Sequence, residues 1–503
     1  MKKPIWVPGT ERVERANLSR FVRFAREQTG NDDLRDYAAI YDFSIHHPER
    51  FWPLVWEFCG IRAVGTFHDV ITPAAHIADA RWFPGVRLNF AQNLLRIRDE
   101  RCALVSRDAA GAWQEISYAE LHQQVARVAA ALRAQGLKPG DIVAGLLRNG
   151  SEAVVAMLAS VAVGAVWSAL APDTDASALR AALKSLAPRL VFVDEAQLER
   201  IDDFLDTAQT IVVGQAVAGS AAHARRSWGE LLAHDLVPLS FELSGFDQPL
   251  YALYRADGET SLHSAGGTLI QHLKDLLLHV DLKREDRVLH AAMPGRPEWY
   301  WLTSALAAGS TLILAGDALD LADSATWDLV DAQAVTVLAT DTGQLAALAA
   351  SALQPRDSHK LLSLRTILAT GAAPPPAVIE QVYARSKDRV MLSVCGGDAG
   401  GLCLLALGCP LLPVYTDELQ CRSLGMNVQV LDGGGNPLQQ EPGDLACLAP
   451  FPGLPLGWLD DADARRFRAR YFSRHDGAWC GGEQALLTAH DGLQIASPLS
   501  ECV

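Results

Sequence analysis

Two hydrophobic periods alternate along this chain. Short apolar runs bounded by turn residues predict buried strands. Longer runs with apolar positions three and four apart predict helices. The first strand predicted this way is Ala103–Ser106, with Trp113–Tyr118 as its hairpin partner. Ser117 opens the next run and Glu120 follows three positions on, a capping box that predicts a helix over Tyr118–Gln135. Gly136 ends that helix, and Pro139-Gly140-Asp141 turns the chain into a strand over Ile142–Leu147. The alternation then repeats. Helix Glu152–Ala162 precedes strand Ala165–Leu170, and helix Ala176–Leu186 precedes strand Leu190–Val193. Helix Glu195–Thr207 precedes strand Thr210–Val213.

A second series starts near Leu250, with strands predicted at Val288–Ala292, Thr311–Leu314, Ala334–Leu338, Thr366–Ala369 and Val390–Val394. Strands separated by helical runs imply parallel sheets covered on both faces. After Leu419 the helical periods stop, and short strands with turns such as Asp432-Gly433-Gly434-Gly435-Asn436 and Pro442-Gly443-Asp444 follow. The fold class is therefore α/β: two doubly wound subdomains plus a small C-terminal β unit. The expected units are 1–95, 96–248, 249–418 and 419–503. The first of these is rich in aromatic residues, from Trp6 to Phe58, and reads as an irregular segment wrapped around a larger body.

Composition narrows the function. The formal charge is −15 over 503 residues. That excludes nucleic acid or an anionic membrane as the main partner, since both need clustered Lys and Arg. Nine cysteines include no CxxC pair, so a metal site is not expected, and Cys59, Cys102, Cys403, Cys421 and Cys447 read as reduced, buried thiols. No apolar segment follows Lys2 and Lys3, so the start is not a signal peptide. Ala153–Pro172 is uncharged and long enough to span a bilayer, but its Ala, Gly and Ser content and Gly164 favour a helix leading into a buried strand. The expected location is cytoplasmic.

Several segments resemble one family. Trp82-Phe83-Pro84-Gly85-Val86-Arg87-Leu88-Asn89-Phe90-Ala91-Gln92-Asn93-Leu94-Leu95 resembles a signature of acetoacetyl-CoA synthetases. So does Leu412-Pro413-Val414-Tyr415 with Glu418-Leu419-Gln420-Cys421-Arg422-Ser423-Leu424-Gly425-Met426. Pro450-Phe451-Pro452 and Arg470-Tyr471-Phe472 continue the likeness, which runs from about Trp6 to Ile495. The resemblance implies an adenylate-forming fold. It implies a reaction that joins acetoacetate to ATP and then passes the acyl group to CoA, with ATP, Mg2+ and CoA as the molecules involved.

The resemblance also marks candidate positions. Gly371 and Ala372 stand at the adenine-facing turn. Gly396 and Gly397 begin a Gly-Gly-Thr-Asp motif in which Asp398 replaces the threonine, where it could reach a cation. Glu483 stands where the family places a ribose-binding Asp; a ribose contact and an exposed strand-end acid are equal readings. Arg296 could pair with a carboxylate substrate, though a solvated loop arginine is the plainer reading. Where the family carries a Gly- and hydroxyl-rich phosphate loop with a Lys, this chain reads Arg255-Ala256-Asp257-Gly258-Glu259-Thr260-Ser261. Asp257 and Glu259 should repel a triphosphate by about 1–4 kcal/mol per contact. They could hold a cation instead, but an acidic surface turn is the plainer reading. Pro498 stands at the family's hinge arginine, and Val503 precedes the family's mobile lid.

These losses lead to the expectation of a truncated, non-catalytic pseudoenzyme. Such a body would bind a small carboxylate or an adenine nucleotide, or serve as a scaffold. It would carry no catalytic residues, and would associate with itself or a protein partner on the face left open around Gly396 and Glu483. The alternative is an active acetoacetate or short-chain acid ligase with an atypical site, or with a lid supplied in trans.

Overall fold

The computed structural model describes residues 3–495 except 73, 108–110, 202–208, 215–224, 256, 291, 317–318, 399 and 402. Two large twisted sheets carry it. The first has eight strands. Arg225–Ser227, Gln209–Val213, Leu190–Asp194, Ile142–Leu146, Val166–Ala169 and Pro249–Tyr254 run parallel in that order. Thr260–Ser264 and Gly457–Trp458 then add antiparallel strands. The second sheet has nine strands. Its parallel centre runs Met391–Asp398, Thr366–Thr370, Val337–Asp341, Arg287–His290, Thr311–Leu314 and Cys102–Arg107. Antiparallel strands flank that centre on both sides.

The central strands are the ones the sequence marks most clearly. Thr311–Leu314 and Leu190–Val193 are buried at every position because helices cover both faces. Chain order does not separate the sheets, however. The early hairpin Cys102–Ser117 completes the second sheet, and Pro249–Ser264 completes the first. Sheet membership depends on non-local pairing, which periodicity does not report.

Two local expectations need correction. The aromatic-rich start is helical rather than irregular, with helices Thr10–Arg15, Asn17–Thr29, Tyr37–His46 and Pro48–Cys59. Leu18, Phe21, Val22 and Ala25 form a buried stripe on the second, and Gly30 ends it in the left-handed region at φ 64°. Large aromatic side chains mask this period because they fill the stripe and pack on one another, as Phe21 does with Phe51 and Phe58 at 5.9 and 5.3 Å. The expected helix over Glu195–Thr207 is a 3-10 segment, Glu195–Arg200, and residues 202–208 lie outside the described part.

From Val428 a four-stranded antiparallel unit forms, in the order Val428–Leu431, Pro442–Cys447, Gln484–Leu487 and Leu493–Ile495. One short helix, Arg465–Tyr471, interrupts it. The uncharged stretch after Glu152 is helix Ser151–Ala162 and strand Val166–Ala169, buried throughout apart from the first turn. Among the described residues no helix is long and apolar enough to cross a membrane. The eight described cysteines carry free thiols, and all but Cys102 are buried.

The segment Glu418–Met426 belongs to the core. The Gln420 amide oxygen accepts from Cys409 N at 3.0 Å, and its amide nitrogen donates to the Leu412 carbonyl at 3.0 Å. Lys274, fully buried, donates to Ser423 Oγ at 2.5 Å and to the Leu424 carbonyl at 3.0 Å, and pairs with Asp275 at 2.7 Å. This motif ties the helix Ala265–Lys274 to the second sheet, so its residue types answer to buried hydrogen bonds.

Candidate functional site

In open parallel sheets, ligands bind in the crevice outside the carboxyl ends of the strands. Here the carboxyl ends of both sheets meet at one segment, 293–298. Gly295 makes the meeting possible. It sits at φ 94°, and a Cβ there would lie 2.5 Å from Ala171 N and 2.9 Å from Leu170 C, at the end of strand Val166–Ala169. Arg296 then pairs with Asp173 at 3.2 Å across the gap. Helix Pro297–Thr303 holds the two sheets together: Tyr300 Oη accepts from Ala169 N at 2.8 Å, and Trp299 Nε1 donates to Asn149 Oδ1 at 3.1 Å. The expectation of a solvated Arg296 gives way to an ion pair that bridges the lobes.

The structure brings most of the predicted residues together. Gly371 follows strand Thr366–Thr370 and its N–H donates to the Cys395 carbonyl at 3.2 Å, which seats Gly371 and Ala372 beside the next strand. A Cβ on Gly396 would lie 3.1 Å from the Gly371 carbonyl oxygen. Gly397 takes φ 71° and has room for a Cβ only at 3.0 Å from Leu405 and 3.1 Å from Leu445. Leu445 links onward, because its N–H donates to the Glu483 carbonyl at 2.9 Å. Glu483 is 5% exposed, so it is a buried acid rather than an exposed strand-end one. Its carboxylate lies against Gly481, where a Cβ would come within 2.3 Å of Oε2. Gly396 is buried as well, between Leu419 and Ile495. The Asp398 backbone pairs with Leu404, and its side chain lies outside the described part. The expectation built on Pro498 also falls outside the described residues.

The segment in place of a phosphate loop is a tight hairpin between Pro249–Tyr254 and Thr260–Ser264. Gly258, at φ 85°, donates to the Arg255 carbonyl at 3.0 Å, and Arg255 N donates to the Glu259 carbonyl at 2.9 Å. Each of its two acids has an arginine partner within the chain. Asp257 pairs with Arg255 at 3.4 Å, and Glu259 with Arg466 at 2.7 Å. Arg466 also pairs with Asp460 at 2.6 Å and lies over the Trp458 ring at 5.4 Å. These arginines reduce the expected repulsion without cancelling it, because Arg466 is shared with Asp460 and Asp461; they also occupy the two carboxylates that a cation would need. Among the described residues no cluster of three or more His, Cys, Asp or Glu is arranged for a metal.

One crevice residue escaped the sequence reading. Glu298 is the second residue of helix Pro297–Thr303, and the Thr370 hydroxyl faces its carboxyl. The residue is partly open, but its carboxyl end lies deep, and burial raises its pKa above the usual range against the pull of Thr370 and Arg296. A perturbed carboxyl at the carboxyl ends of parallel strands is a functional-site candidate. The available signal was local: a lone acid directly before the apolar run Trp299-Tyr300-Trp301-Leu302.

Set against the molecules implied by the resemblance, the crevice fits unevenly. Gly371 is half-buried and leaves backbone open where adenosine would lie, Gly396 and Gly397 are buried behind it, and Glu483 is a buried acid linked to them through Leu445. The hairpin offers arginines but no lysine toward phosphates.

Comparison with known proteins supplies the remaining findings. The AMP-binding enzyme family profile matches residues 92–239, and that of the acetyl-coenzyme A synthetase N-terminus matches residues 37–94. The chain is similar to acetoacetyl-coenzyme A synthetase of Rhizobium meliloti (strain 1021), at 34% identity over 98% of this chain and 79% of that one. It is similar to a malonamoyl-CoA synthetase of Penicillium aethiopicum, at 30% identity over 91% of this chain and 69% of that one. The solved structure of acetoacetyl-CoA synthetase from Streptomyces lividans superposes with a TM-score of 0.91 at 29% identity, covering 98% of this chain and 80% of that one.

Proposed function

The chain belongs to the acetoacetyl-CoA synthetase family, and on that premise we propose that it activates acetoacetate, or a similar short acid, with ATP and passes the acyl group to CoA. ATP supplies the driving force, by converting the carboxylate to a mixed anhydride with AMP and releasing pyrophosphate. In this reading the backbone at Gly371, Ala372, Gly396 and Gly397 seats the adenosine, and Glu483 accepts from its ribose hydroxyls. Arg255 and Arg466 stand nearest the phosphate side and offset its charge in place of a loop lysine. No residue is assigned to magnesium or to CoA. The observation that carries the reading is the match over 98% of the chain to a relative named for this activity.

The expectation of a truncated, non-catalytic scaffold is corrected. The similarity spans 98% of this chain and 79% of the Rhizobium meliloti protein. The expectation rested on the missing loop lysine, the two acids of the turn and the altered hinge; of these, the acids each have an arginine partner.

The test is acetoacetate-dependent AMP release with CoA thioester formation, followed on purified protein with ATP and magnesium. Turnover on the order of 1 s⁻¹ or faster is expected. Absence of acid-dependent AMP release at micromolar enzyme, with every short acid tried, would sink the reading.

A further inference from the structure

A second recess opens at the amino end of strand Pro249–Tyr254, whereas the crevice lies at the carboxyl ends of the strands. The six residues of that strand separate it from the hairpin turn, on the order of 17 Å. It is a cavity of about 530 Å³ between two chain segments, 81–86 and 245–249. That volume suits a small molecule. Backbone hydrogen bonds fix both segments. Phe83 N donates to the Val70 carbonyl at 2.8 Å, and Gly266 N donates to the Phe246 carbonyl at 2.9 Å. Gln248 N donates to the Gly245 carbonyl at 3.1 Å, and the Gln248 carbonyl accepts from Ala265 N at 2.9 Å.

The inner wall is aromatic. The rings of Phe83 and Phe246 lie 5.2 Å apart, and that of Trp82 lies 6.4 Å from Phe83. All three are at most 3% exposed, so packing holds them in place. Phe83 sits at φ 45°, in the left-handed region that a bulky residue rarely enters. Backbone held there by its surroundings is a recurrent feature of ligand clamps.

One acid lines the same cavity. Asp247 follows Phe246, and burial pushes its carboxyl up to about 6 against the pull of Arg81 and the Trp82 N–H. The group is still ionised at neutral pH, so a carboxylate stands in a partly buried, aromatic recess. Arg81 is the cation that acts on it, but Arg81 is exposed and donates to the Ala80 carbonyl at 3.2 Å. A carboxylate beside aromatic rings attracts positive charge, because acid and ring quadrupole both favour a cation. An anion would meet Asp247 as a like charge. A neutral molecule would leave the carboxylate unmatched.

We propose that this recess is a binding site for a small organic cation, an ammonium group carried on an apolar or aromatic body. The ammonium pairs with Asp247, and the body covers Phe83 and Phe246. The site is separate from the ligase crevice, and the inference does not rest on the ligase reading.

Phenethylamine, 2-phenylethanol and 3-phenylpropionate test it, since they share a phenyl body and differ in charge. Isothermal titration on the purified full chain, without nucleotide, gives the affinities. The amine is expected to bind saturably with a Kd of about 1 mM or below. The alcohol should bind about tenfold more weakly, and the propionate more weakly again. Asp247→Asn should lower amine affinity about tenfold and leave the alcohol unchanged. Gln248→Trp, which fills the opening from an exposed position, should weaken the amine and the alcohol together. Melting curves on each variant check that it folds. If Asp247→Asn unfolds, Gln248→Trp and the ranking of the three probes carry the test. No saturable binding of the amine, alcohol or propionate binding as tight as the amine, or undiminished amine affinity in Asp247→Asn or in Gln248→Trp would overturn the inference.

Discussion

The crevice at Gly371, Gly396 and Glu483 and the hairpin turn at Arg255–Glu259 serve one proposed reaction, yet they are built on opposite principles. The crevice is defined by what is missing. Glycines let strands and loops approach until a single added carbon would collide, as at Gly295 against Ala171 N at 2.5 Å. The turn is defined by charge. Its acids and arginines pair among themselves, with Asp257 and Arg466 at the surface. Close packing tolerates almost no change in volume, whereas exposed ion pairs contribute little and can be exchanged. Loss of family likeness at the turn therefore says less about activity than it first suggests.

The largest effect expected from breaking this contrast lies at Gly295. A Gly295→Val side chain would meet backbone atoms in a left-handed residue, so both strain and collision apply. We expect at least about 3 kcal/mol of destabilisation and loss of turnover. Urea unfolding read alongside AMP release checks it; a variant with wild-type midpoint would show that the lobes do not depend on this contact.

Next comes the charge that underlies the β unit carrying Glu483. Burial alone would raise the Asp444 carboxyl, but hydrogen bonds from His475, Gln484 and Arg474 outweigh it and hold it below the usual carboxylate range. His475 Nε2 and Arg474 Nε approach it at 2.8 and 2.6 Å. A carboxyl depressed in the folded state adds stability above its unfolded pKa, and that stability is lost as pH falls through the folded value. Asp444→Asn should therefore cost about 2 kcal/mol at neutral pH. The gap to wild type should close below about pH 4, near and under the unfolded carboxyl value. A deficit that stays constant into acid would point to packing rather than charge.

The turn should respond more gently and more selectively. Arg466→Ala leaves Glu259 without its close cation. ATP affinity should fall about tenfold through the exposed like charge, while adenosine affinity holds. Thermal-shift titrations with both ligands separate the two, and a parallel loss of both would place Arg466 outside the phosphate side. The smallest change is Glu259→Gln. Stability should move by no more than about 0.5 kcal/mol, as exposed pairs do, and ATP binding should tighten slightly. A marked loss of stability would mean that the hairpin depends on this pair.

The same contrast explains what the sequence made legible. Central strands such as Thr311–Leu314 were read with their boundaries intact, because burial on both faces leaves an unbroken apolar run. The placement of hairpin Cys102–Ser117 in the far sheet could not be read, since nothing within it names a partner strand. Gly371, Gly396 and Glu483 were found through family likeness at positions where packing restricts choice. Glu298 was missed because its significance comes from Thr370, more than seventy residues on. The acids of the turn are legible in the sequence but the partner of Glu259 is not, because Arg466 approaches from the other end of the chain.

Helix Pro297–Thr303 has one more consequence. Tyr300 and Trp299 fasten it to the first sheet at 2.8 and 3.1 Å while its own strand belongs to the second. It acts as a rigid spacer between two plates. The gap it sets is a fixed gauge, so in the proposed ligase reading the length of acid taken up would be measured by a helix rather than by a flexible loop. Substitutions that thicken or thin this spacer, at positions that never touch a substrate, should recalibrate chain-length preference while leaving the chemistry in place.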